Sequence, residues 1–543
     1  MTLESSHPEE VLALPALFLV TVCGAWVRLA PALSSSFPIG DGGLFYAMAQ
    51  DLQASHFALP LVTSYNGGQI PFLYPPLGMY LAAGLSSLLH LSLLDIVRLL
   101  PPLVSVLCIP ALYALADAIL ENRGLALLAA MAFSALPTSF DWLSMGGGLT
   151  RAPGFLFAIL ALRQAWLLVH RTRRSDLVWT ALLSSLTVYS HPAMAWFLLY
   201  SVLLFFLFSR PSWSKVWRSL LVGAGVLLLT APWWLTAAER FGPAFLWNGL
   251  VYGSGTISGW TFIPSLLFAF TDEPVLDILA VLGLLGVLVS LRGPEGVLRD
   301  PKGVLRDPGG VLRERKYLLP AWFFLVFVFQ TRFSAVVATV PFALLAALGI
   351  GRLVLPGLAR PQPESASRPA PFLNWVQILF LVYFFVVSLF SANANSVKDA
   401  VSPDALAAMA WAEQSTQADS TFVIVAGAAG VPGSYAVPEW FPVFARRTSL
   451  STAQGQEWLA DSARKLSPAN YDFLQTCALQ DLSCLDEWSR RTGLQGDYLY
   501  LLRPAVTLAD GSPSKLWRSL QISPAYTLVF QNSSTLIYHR KPD

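Results

Sequence analysis

The stretch VLALPALFLVTVCGAWV, residues 11–27, decides the class of fold because it is apolar and close to the length of a membrane span. A second run of this kind, LFLVYFFVVSLF, occupies residues 379–390. Of the 543 residues, 55% are hydrophobic and only 13% are charged, about half the charged share of soluble domains. The sequence therefore predicts a polytopic α-helical membrane protein. The net charge of +2 gives no indication of a nucleic-acid partner, and none is expected.

The distribution of Lys and Arg predicts the topology, because cytoplasmic loops collect these residues. The first apolar run lacks a basic region before it and a small-residue cleavage site after it, so it is expected to be a retained helix. The segment 32–95 lacks Lys and Arg between its ends and is predicted to be a long outer loop. Taking the basic loops as cytoplasmic gives about eleven crossings, at 11–31, 97–119, 124–140, 152–170, 176–190, 192–209, 217–236, 274–291, 317–331, 335–355 and 372–390.

Two segments of the membrane part need separate interpretations. The run PPLGMYLAAGLSSLLHL, residues 75–91, is expected to lie in the interface or to re-enter from outside, because a further crossing would place the basic loop at 170–175 outside. One more transmembrane helix is the alternative. The segment 292–316 repeats GVLRDPK, GVLRDPG and GVLRERK. Its glycines and prolines predict a poor helix, and its basic residues indicate a cytoplasmic linker near anionic head groups.

Residues 391–543, after a membrane domain at 1–390, are predicted to form a small extracytoplasmic α/β domain. Strand-like runs (TFVIVAG, DYLYLLRP, YTLVF, TLIYH) alternate with helix-like runs (DALAAMAWAEQS, TAQGQEWLADSARKL). The last two strand-like runs flank QNSS, which fits a hairpin. Cys477 and Cys484 suit a disulfide if this region lies outside the cytosol; otherwise they are free thiols. Asn532 begins a glycosylation triplet of low specificity.

The candidates for chemistry are isolated polar groups at the predicted outer face, since the sequence carries no Walker loop, HExxH, CxxC pair or dinucleotide fingerprint. Asp41 lies in FPIGDGGLFYAMAQDL, residues 37–52. A carboxylate there can act as a general base on a hydroxyl, and its glycine neighbours let the backbone approach a ligand. The alternative is that Asp41 only caps the following helix.

Two arginines are candidates for binding an anion. Arg332 lies between two apolar runs, where a guanidinium needs a partner and suits phosphate oxygens, or else snorkels to head groups. Arg151 follows three glycines in MGGGLTRAPG, and a glycine-rich backbone beside an arginine can receive an anion. A helix-starting turn with an interfacial anchor is the alternative for Arg151.

Three further residues are weaker candidates for substrate binding. His191 lies in a very short outer turn, where it could position a hydroxyl or a phosphate or be satisfied structurally. Glu273 precedes a proline at a helix start, where the helix dipole is a sufficient explanation. Glu439 lies in EWFPVFARR, residues 439–447, whose aromatic and charged residues could bind sugar or simply pack a small domain.

The order of these motifs resembles the membrane-embedded GT-C glycosyltransferases, which include protein O-mannosyltransferases, aminoarabinose transferases and oligosaccharyltransferase catalytic subunits. The resemblance covers roughly residues 11–355. It consists of an early acid in the first outer loop (GDGGLFYAMAQDL), a proline motif (YPPLGMYL), a second outer loop (LPTSFDWLSMGGGLTRAPG) and an arginine helix (QTRFSAVVATVPFALLAALGIG).

The resemblance implies sugar transfer from a polyprenyl- or dolichyl-linked donor on the extracytoplasmic face. By position, Asp41 matches the catalytic acid, Arg332 the arginine near the donor phosphate, and Tyr74, with the two prolines after it, the juxtamembrane motif. Gly42 stands where many members have a second acid, and GGGLTR replaces a metal-binding acidic pair. No cofactor is assigned, and a divalent metal is left open although no acidic pair supports one. The tail lacks the WWDYG motif, so asparagine-linked transfer is not expected.

The expected function is therefore transfer of a sugar to an acceptor hydroxyl on a glycan, lipid or protein. A non-enzymatic lipid or solute transporter is one alternative, but such proteins usually carry polar residues near mid-membrane and helical repeats. A glycan polymerase or ligase that uses lipid diphosphates is another, and several arginines in a larger outer loop would distinguish it.

Overall fold

The apolar runs of the sequence form long helices in a computed structural model of the chain. The model describes residues 8–68, 70–171, 173–242, 277–292, 311–330, 333–357, 375–396, 400–427, 436–459 and 466–541. Helices are the expected solution in a bilayer because every backbone polar group is satisfied within the segment. The first part of the chain contains α1 (Pro8–Ser34), α2 (Gly43–Ala54), α3 (Leu77–Leu89), α4 (Leu93–Leu120), α5 (Arg123–Ala135), α6 (Asp141–Ser144), α7 (Gly148–His170), α8 (Arg174–Ser190), α9 (Pro192–Phe208) and α10 (Trp213–Phe241).

The membrane part continues with four more helices in the described residues. They are α11 (Asp277–Arg292), α12 (Val311–Phe329), α13 (Ser334–Gly349, followed by a π-helical turn Ile350–Val354 and a short helix Leu355–Gly357) and α14 (Trp375–Ser396). Helix α7 packs against α4, α8 and α9, and α13 packs against α5, α11 and α12. Small and aliphatic residues from these elements form a continuous apolar core.

Five described helices are long and apolar enough to cross a membrane, judged by length and composition. They are Ala13–Ser34, Leu93–Leu120, Gly148–His170, Trp213–Phe241 and Ser334–Val354. A helix lies at each of the eleven predicted spans, but several of these helices are shorter, so the number of crossings stays a prediction. Helix α3 has 13 residues, about 20 Å, which is less than the hydrocarbon thickness. Because α5 has the same length, helix length alone does not separate an interfacial α3 from a spanning one.

The repeat segment is only partly described. Residues 293–310 lie outside the described residues, whereas α12 begins at Val311, inside the third copy. The prediction of a poor helix is wrong for that copy. The first two copies contain Asp-Pro, and proline cannot continue a helix, but the third copy has Glu-Arg at the corresponding place.

The C-terminal region is built around a mixed five-stranded sheet in the order β4-β3-β5-β7-β6. Strands β3 (Thr421–Val425), β5 (Tyr498–Leu502), β6 (Tyr526–Gln531) and β7 (Thr535–Arg540) coincide with the four predicted strand-like runs, and β4 (Thr448–Ser449) is added at one edge. Strand β3 is parallel to β4 and β5, whereas β7 is antiparallel to β5 and β6. The β6–β7 hairpin was predicted from its turn sequence.

Among the described residues five helices flank this sheet, and one predicted helix is not formed over its described part. They are α15 (Pro403–Ser415), α16 (Ala436–Phe444), α17 (Pro468–Thr476), α18 (Leu482–Thr492) and α19 (Lys515–Ile522). The helix predicted from TAQGQEWLADSARKL is wrong over its described part, 452–459. A turn and a single 3₁₀ turn, Gln456–Trp458, replace it because Gly455 adopts a φ of 88°. Cys477 and Cys484 form a disulfide bond.

The segment 32–95 and the C-terminal region share one hydrophobic core. It includes Leu44 and Met48 from α2, Met79 from α3, and Trp440 and Phe441 from α16. A bridge between Ile39 and Ala400 also joins the two regions. Two smaller β strands, β1 (Val62–Thr63) and β2 (Ile70–Pro71), lie in the first outer loop. The segment 32–95 therefore packs against the C-terminal region and does not form a separate unit.

Candidate active site

Asp41 lies in a sharp turn between α1 and α2. Gly40 and Gly42, on either side of it, have positive φ angles of 64° and 136°, a region that other residues rarely adopt. Gly42 is the N-cap residue of α2, and no side chain caps that helix. The alternative in which Asp41 only caps α2 is therefore wrong, and the reason is that its carboxylate is bound elsewhere.

Gly146 and Gly147, between α6 and α7, lie directly against the Asp41 turn. The backbone N–H of Gly146 donates to the carbonyl oxygen of Ile39 at 2.9 Å, and the N–H of Gly147 donates to the carbonyl oxygen of Asp41 at 3.1 Å. The same N–H of Gly147 reaches the Oδ1 atom of Asp41 at 3.1 Å. A Cβ atom added to Gly147 would lie 2.6 Å from both carboxylate oxygens. The glycine run thus binds the carboxylate of Asp41 in this structure, and its binding of an anion from a substrate stays a prediction.

Arg151 completes the binding of the Asp41 carboxylate. Its Nη2 atom lies 2.6 Å from both Oδ1 and Oδ2 of Asp41, and its Nε atom donates to the carbonyl oxygen of Gly147 at 3.0 Å. The side chain of Arg151 is 4% exposed, whereas that of Asp41 is 25% exposed. The arginine is therefore fixed from inside the protein, and the acid keeps an edge that a hydroxyl from solvent can reach.

Aromatic rings surround the outer side of the Arg151 guanidinium. Its central carbon lies 5.4 Å from the ring centroid of Trp142, on α6, and 5.8 Å from that of Phe333, which precedes α13. The two rings are edge-to-face at 6.0 Å. Cations are attracted to aromatic faces at these distances. The rings reduce the access of water to the arginine and hold the start of α13 beside the acid.

His191 and Tyr74 continue this aromatic row away from Arg151. The His191 ring lies 5.6 Å from the Phe333 ring and 6.2 Å from the Tyr74 ring. Tyr74 in turn packs edge-to-face on Trp458 at 5.6 Å. His191 is the N-cap residue of α9 and is 3% exposed. Two predicted site residues, on segments far apart in sequence, are thus brought into one row that reaches Arg151 through Phe333.

Glu439 also lies close to the Asp41 turn, on α16 of the C-terminal region. The hydroxyl of Tyr65 donates to its carbonyl oxygen at 2.6 Å and approaches its Oε2 atom at 3.4 Å. Its carbonyl oxygen sits so close to Gly43 that an added Cβ would overlap it. Glu439 therefore contributes packing and a backbone contact at this position, and a role in binding substrate stays a prediction.

A large apolar groove begins beside this row. It has a volume of about 710 Å³ and lies between α8, α9 and α10. Pro75, Pro192 and Trp458 line one part of it, next to Tyr74 and His191, and Gly223 and Leu227 line the α10 side. Its walls are almost entirely hydrocarbon and aromatic. A groove of this composition suits an extended apolar chain.

Two predicted site residues, Arg332 and Glu273, lie outside the described residues, so their roles stay predictions. Over the described ranges, no group of three or more His, Cys, Asp or Glu side chains is arranged to hold a metal ion. The sequence interpretation also missed Trp142 and Phe333. Both lie inside segments quoted for the family resemblance, but neither was singled out, since an aromatic residue beside a membrane span is common.

Arg28 is a further residue that sequence reasoning missed. It lies in α1, is fully buried, and donates to the carbonyl oxygens of Phe133 and Ser134 and to the hydroxyls of Ser105 and Ser139. These carbonyls belong to the last turn of α5, where intrahelical donors are lacking. Arg28 thus fixes the point from which the second outer loop departs. An arginine inside an apolar run was the available signal.

A family model described as dolichyl-phosphate-mannose-protein mannosyltransferase matches residues 74–235. That range includes Tyr74, Arg151 and His191 but ends before the C-terminal region. No curated protein sequence matches the chain.

Several solved structures are similar over nearly the whole chain. The archaeal oligosaccharyltransferase AglB from Archaeoglobus fulgidus, in complex with an inhibitory peptide and a dolichol-phosphate, has a TM-score of 0.57 at 13% identity, over 99% of this chain and 75% of its own. ArnT from Cupriavidus metallidurans, bound to undecaprenyl phosphate, has a TM-score of 0.56 at 14% identity, over 97% of both chains. Arabinofuranosyltransferase AftD from Mycobacteria has a TM-score of 0.56 at 15% identity, over 97% of this chain and 40% of its own. At these identities the similarity is one of fold.

Proposed function

Because the chain has the membrane-embedded fold of the GT-C glycosyltransferases, we propose that it transfers a hexosyl or pentosyl group from a polyprenyl-phosphate or polyprenyl-diphosphate donor to an acceptor hydroxyl. The observation that carries the proposal is the Asp41–Arg151 pair, from which the rings of Phe333, His191 and Tyr74 lead toward Trp458 in the wall of an apolar groove. An acid, a cation and a hydrocarbon channel are the three elements that such a transfer needs from the protein. No cofactor is included in the proposal.

Asp41 is the proposed general base. The acceptor hydroxyl attacks the anomeric carbon, a bond forms between that carbon and the acceptor oxygen, and the bond to the donor phosphate oxygen breaks. The hydroxyl proton passes to the carboxylate of Asp41, and the phosphate leaves with its prenyl chain. The exposed edge of Asp41 gives the hydroxyl access. A positioned base typically contributes about 10²–10⁴-fold to such a step.

Arg151 is proposed to stabilise the charge that develops on the leaving phosphate. Its Nε and Nη2 atoms are occupied, whereas Nη1 makes no hydrogen bond within the described part of the chain. A guanidinium fixed in this way can donate to a phosphate oxygen through the remaining group without a large rearrangement. Arg332 is the second proposed cation, because it directly precedes Phe333 in the sequence and Phe333 packs on Arg151.

The prenyl chain is proposed to lie in the groove between α8, α9 and α10. The groove is lined by apolar side chains such as Leu199, Val202 and Leu227. Its start beside Tyr74 and His191 would place the head group of a lipid next to the Asp41–Arg151 pair. We propose these two residues, together with Glu273 and Glu439, as contacts for the sugar or the acceptor.

The reaction is proposed to occur on the extracytoplasmic side, with the C-terminal region covering the site and selecting a glycan, lipid or protein acceptor. Two observations support this sidedness. The first outer loop lacks Lys and Arg between residues 33 and 95. Cys477 and Cys484 are joined in a disulfide, which persists in oxidising compartments.

Asp41→Asn tests the function, with Asp51→Asn as a matched control. Asp51 lies ten residues further on in α2, and its carboxylate accepts hydrogen bonds from Thr63 and from the backbone of Ser64. Membranes of the source organism supply the acceptor, and the probes are undecaprenyl- and dolichyl-phosphate donors carrying radiolabelled mannose or arabinofuranose. We expect transfer to fall at least about 10²-fold in Asp41→Asn and to stay near wild type in Asp51→Asn. Wild-type transfer by folded Asp41→Asn protein would refute the assignment.

A further inference from the structure

The C-terminal region contacts the turn that carries Asp41 through one buried tryptophan. Trp440, on α16, is fully buried, and its indole N–H donates to the carbonyl oxygen of Gly40 at 3.0 Å. Its ring packs edge-to-face on Phe37 at a centroid distance of 4.9 Å. The bond therefore joins the peptide immediately before the acid to a residue 400 positions later in the chain.

Three consecutive carbonyl groups at this turn each accept a hydrogen bond from a different donor. The carbonyl of Ile39 accepts from Gly146, that of Gly40 accepts from Trp440, and that of Asp41 accepts from Gly147. The second outer loop supplies the first and third donors, and the C-terminal region supplies the middle one. The turn is thus held from two directions at once.

The residues that follow Asp41 also contact the C-terminal region. Gly43 abuts the carbonyl oxygen of Glu439, the residue before Trp440. The backbone N–H of Leu44 donates to Oε1 of Gln454 at 3.3 Å. The start of α2 is therefore also seated on the C-terminal region. Because glycine turns have wide conformational freedom, the position of Asp41 depends on these external contacts and not on its own backbone.

We propose that Trp440 is a positioning residue for the transfer reaction, which makes the C-terminal region part of the catalytic geometry as well as a cover over the site. The inference rests on the proposed function, since it acts through Asp41. Loss of the indole N–H leaves the Gly40 carbonyl unbound and lets the acid shift relative to Arg151. Because reaction rates depend steeply on such placement, the effect falls on kcat more than on the KM of the donor.

The test compares Trp440→Phe with Trp488→Phe. Trp488, on α18, is also buried in the C-terminal region, and its indole N–H donates to the carbonyl oxygen of Asn470 at 3.1 Å. Both variants lose one buried N–H and one ring, but only one of them touches the Asp41 turn. Using full-length protein and the labelled donors, we expect Trp440→Phe to lower kcat about tenfold or more, as loss of one buried hydrogen bond would. The donor KM should stay within about twofold, and Trp488→Phe should keep the wild-type kcat.

A second variant covers the case in which Trp440→Phe does not accumulate. Site-specific replacement of Trp440 by benzothienylalanine keeps the shape of the ring and removes only the N–H, and the same fall in kcat is expected. Equal kcat values in the Trp440 and Trp488 variants would overturn the inference, as would a raised donor KM with unchanged kcat. If Asp41→Asn is inactive while Trp440→Phe behaves like Trp488→Phe, only this inference fails. If Asp41→Asn is fully active, the proposed function fails as well.

Discussion

Gly147→Ala is the substitution that most directly tests whether the close fit around Asp41 matters. Gly147 has an ordinary φ of −68°, so alanine introduces no backbone strain there. The added Cβ would lie 2.6 Å from both carboxylate oxygens of Asp41, whereas ordinary van der Waals contact begins at 3.4 Å. The carboxylate must therefore retreat by about 0.8 Å, the difference between these two distances, and Nη2 of Arg151, which lies closer still to the added Cβ, must move further.

A misplacement of about 1 Å at a reacting group can cost about 10²-fold in rate. We therefore expect Gly147→Ala to lower kcat about 10²-fold, equivalent to about 2.7 kcal/mol of activation free energy. The assay is transfer of radiolabelled sugar from the polyprenyl-phosphate donors, with kcat and KM measured separately. Gly84→Ala is the control, since no atom lies within 4 Å of a Cβ added at Gly84 on α3. A Gly147→Ala enzyme with wild-type kcat would refute the claim that the Asp41–Arg151 geometry limits the reaction.

Three further predictions address the groove, the buried arginine and the disulfide. Gly223→Leu fills open space in the groove, so the KM for long-chain donors should rise several-fold, while the KM for a two-isoprene donor should stay unchanged. Gly84→Leu is the control, and equal effects on the KM of both donors would contradict the groove assignment. Arg28→Met leaves the carbonyl of Ser134 without its Arg28 donor, whereas the carbonyl of Phe133 keeps the hydroxyl of Ser139 as a donor. The substitution should destabilise the fold by about 1–3 kcal/mol, seen as a lower unfolding temperature than in Arg28→Lys. Equal temperatures would contradict it. Cys477→Ser should lower the stability of the C-terminal region by about 2.5 kcal/mol, because the disulfide no longer constrains the loop in the unfolded chain. Thermal unfolding measures this, with wild type under reducing conditions as the comparison. A wild-type unfolding temperature that does not change with reductant would contradict the prediction.

The parts of the fold that were predictable from sequence are those with a local cause. Apolar runs give helices, and alternating runs of β-branched and aromatic residues give β3, β5, β6 and β7. The helix expected around Trp458 is not formed because Gly455, at positive φ, interrupts it. Composition alone does not predict which glycines adopt positive φ. The prediction of a poor helix was wrong for the third copy of the repeat. That copy keeps the seven-residue spacing but has Glu-Arg in place of Asp-Pro, and the prediction treated the three copies alike.

The candidate site was predictable in its residue types but not in its partnerships. Asp41, Arg151, His191 and Tyr74 were all named from sequence, and the structure brings them into one row with Phe333. The pairing of Asp41 with Arg151 was not foreseen, because each had a sufficient local explanation as a cap or an anchor. Partners 110 residues apart in sequence meet only through tertiary packing, which no local pattern encodes.

The backbone character of the contacts explains why the sequence signal of this site is weak. The position of Asp41 is set by the N–H groups of Gly146 and Gly147 and by carbonyl oxygens of the turn itself. Nearly every residue carries such groups, so their role is visible in the sequence only where a side chain would not fit and glycine is required. Trp440 is the side chain in this arrangement that also binds the backbone of the turn. The contacts that hold the acid in this chain therefore depend on chain path more than on residue identity, and the similarity to AglB, ArnT and AftD at 13–15% identity is one of chain path.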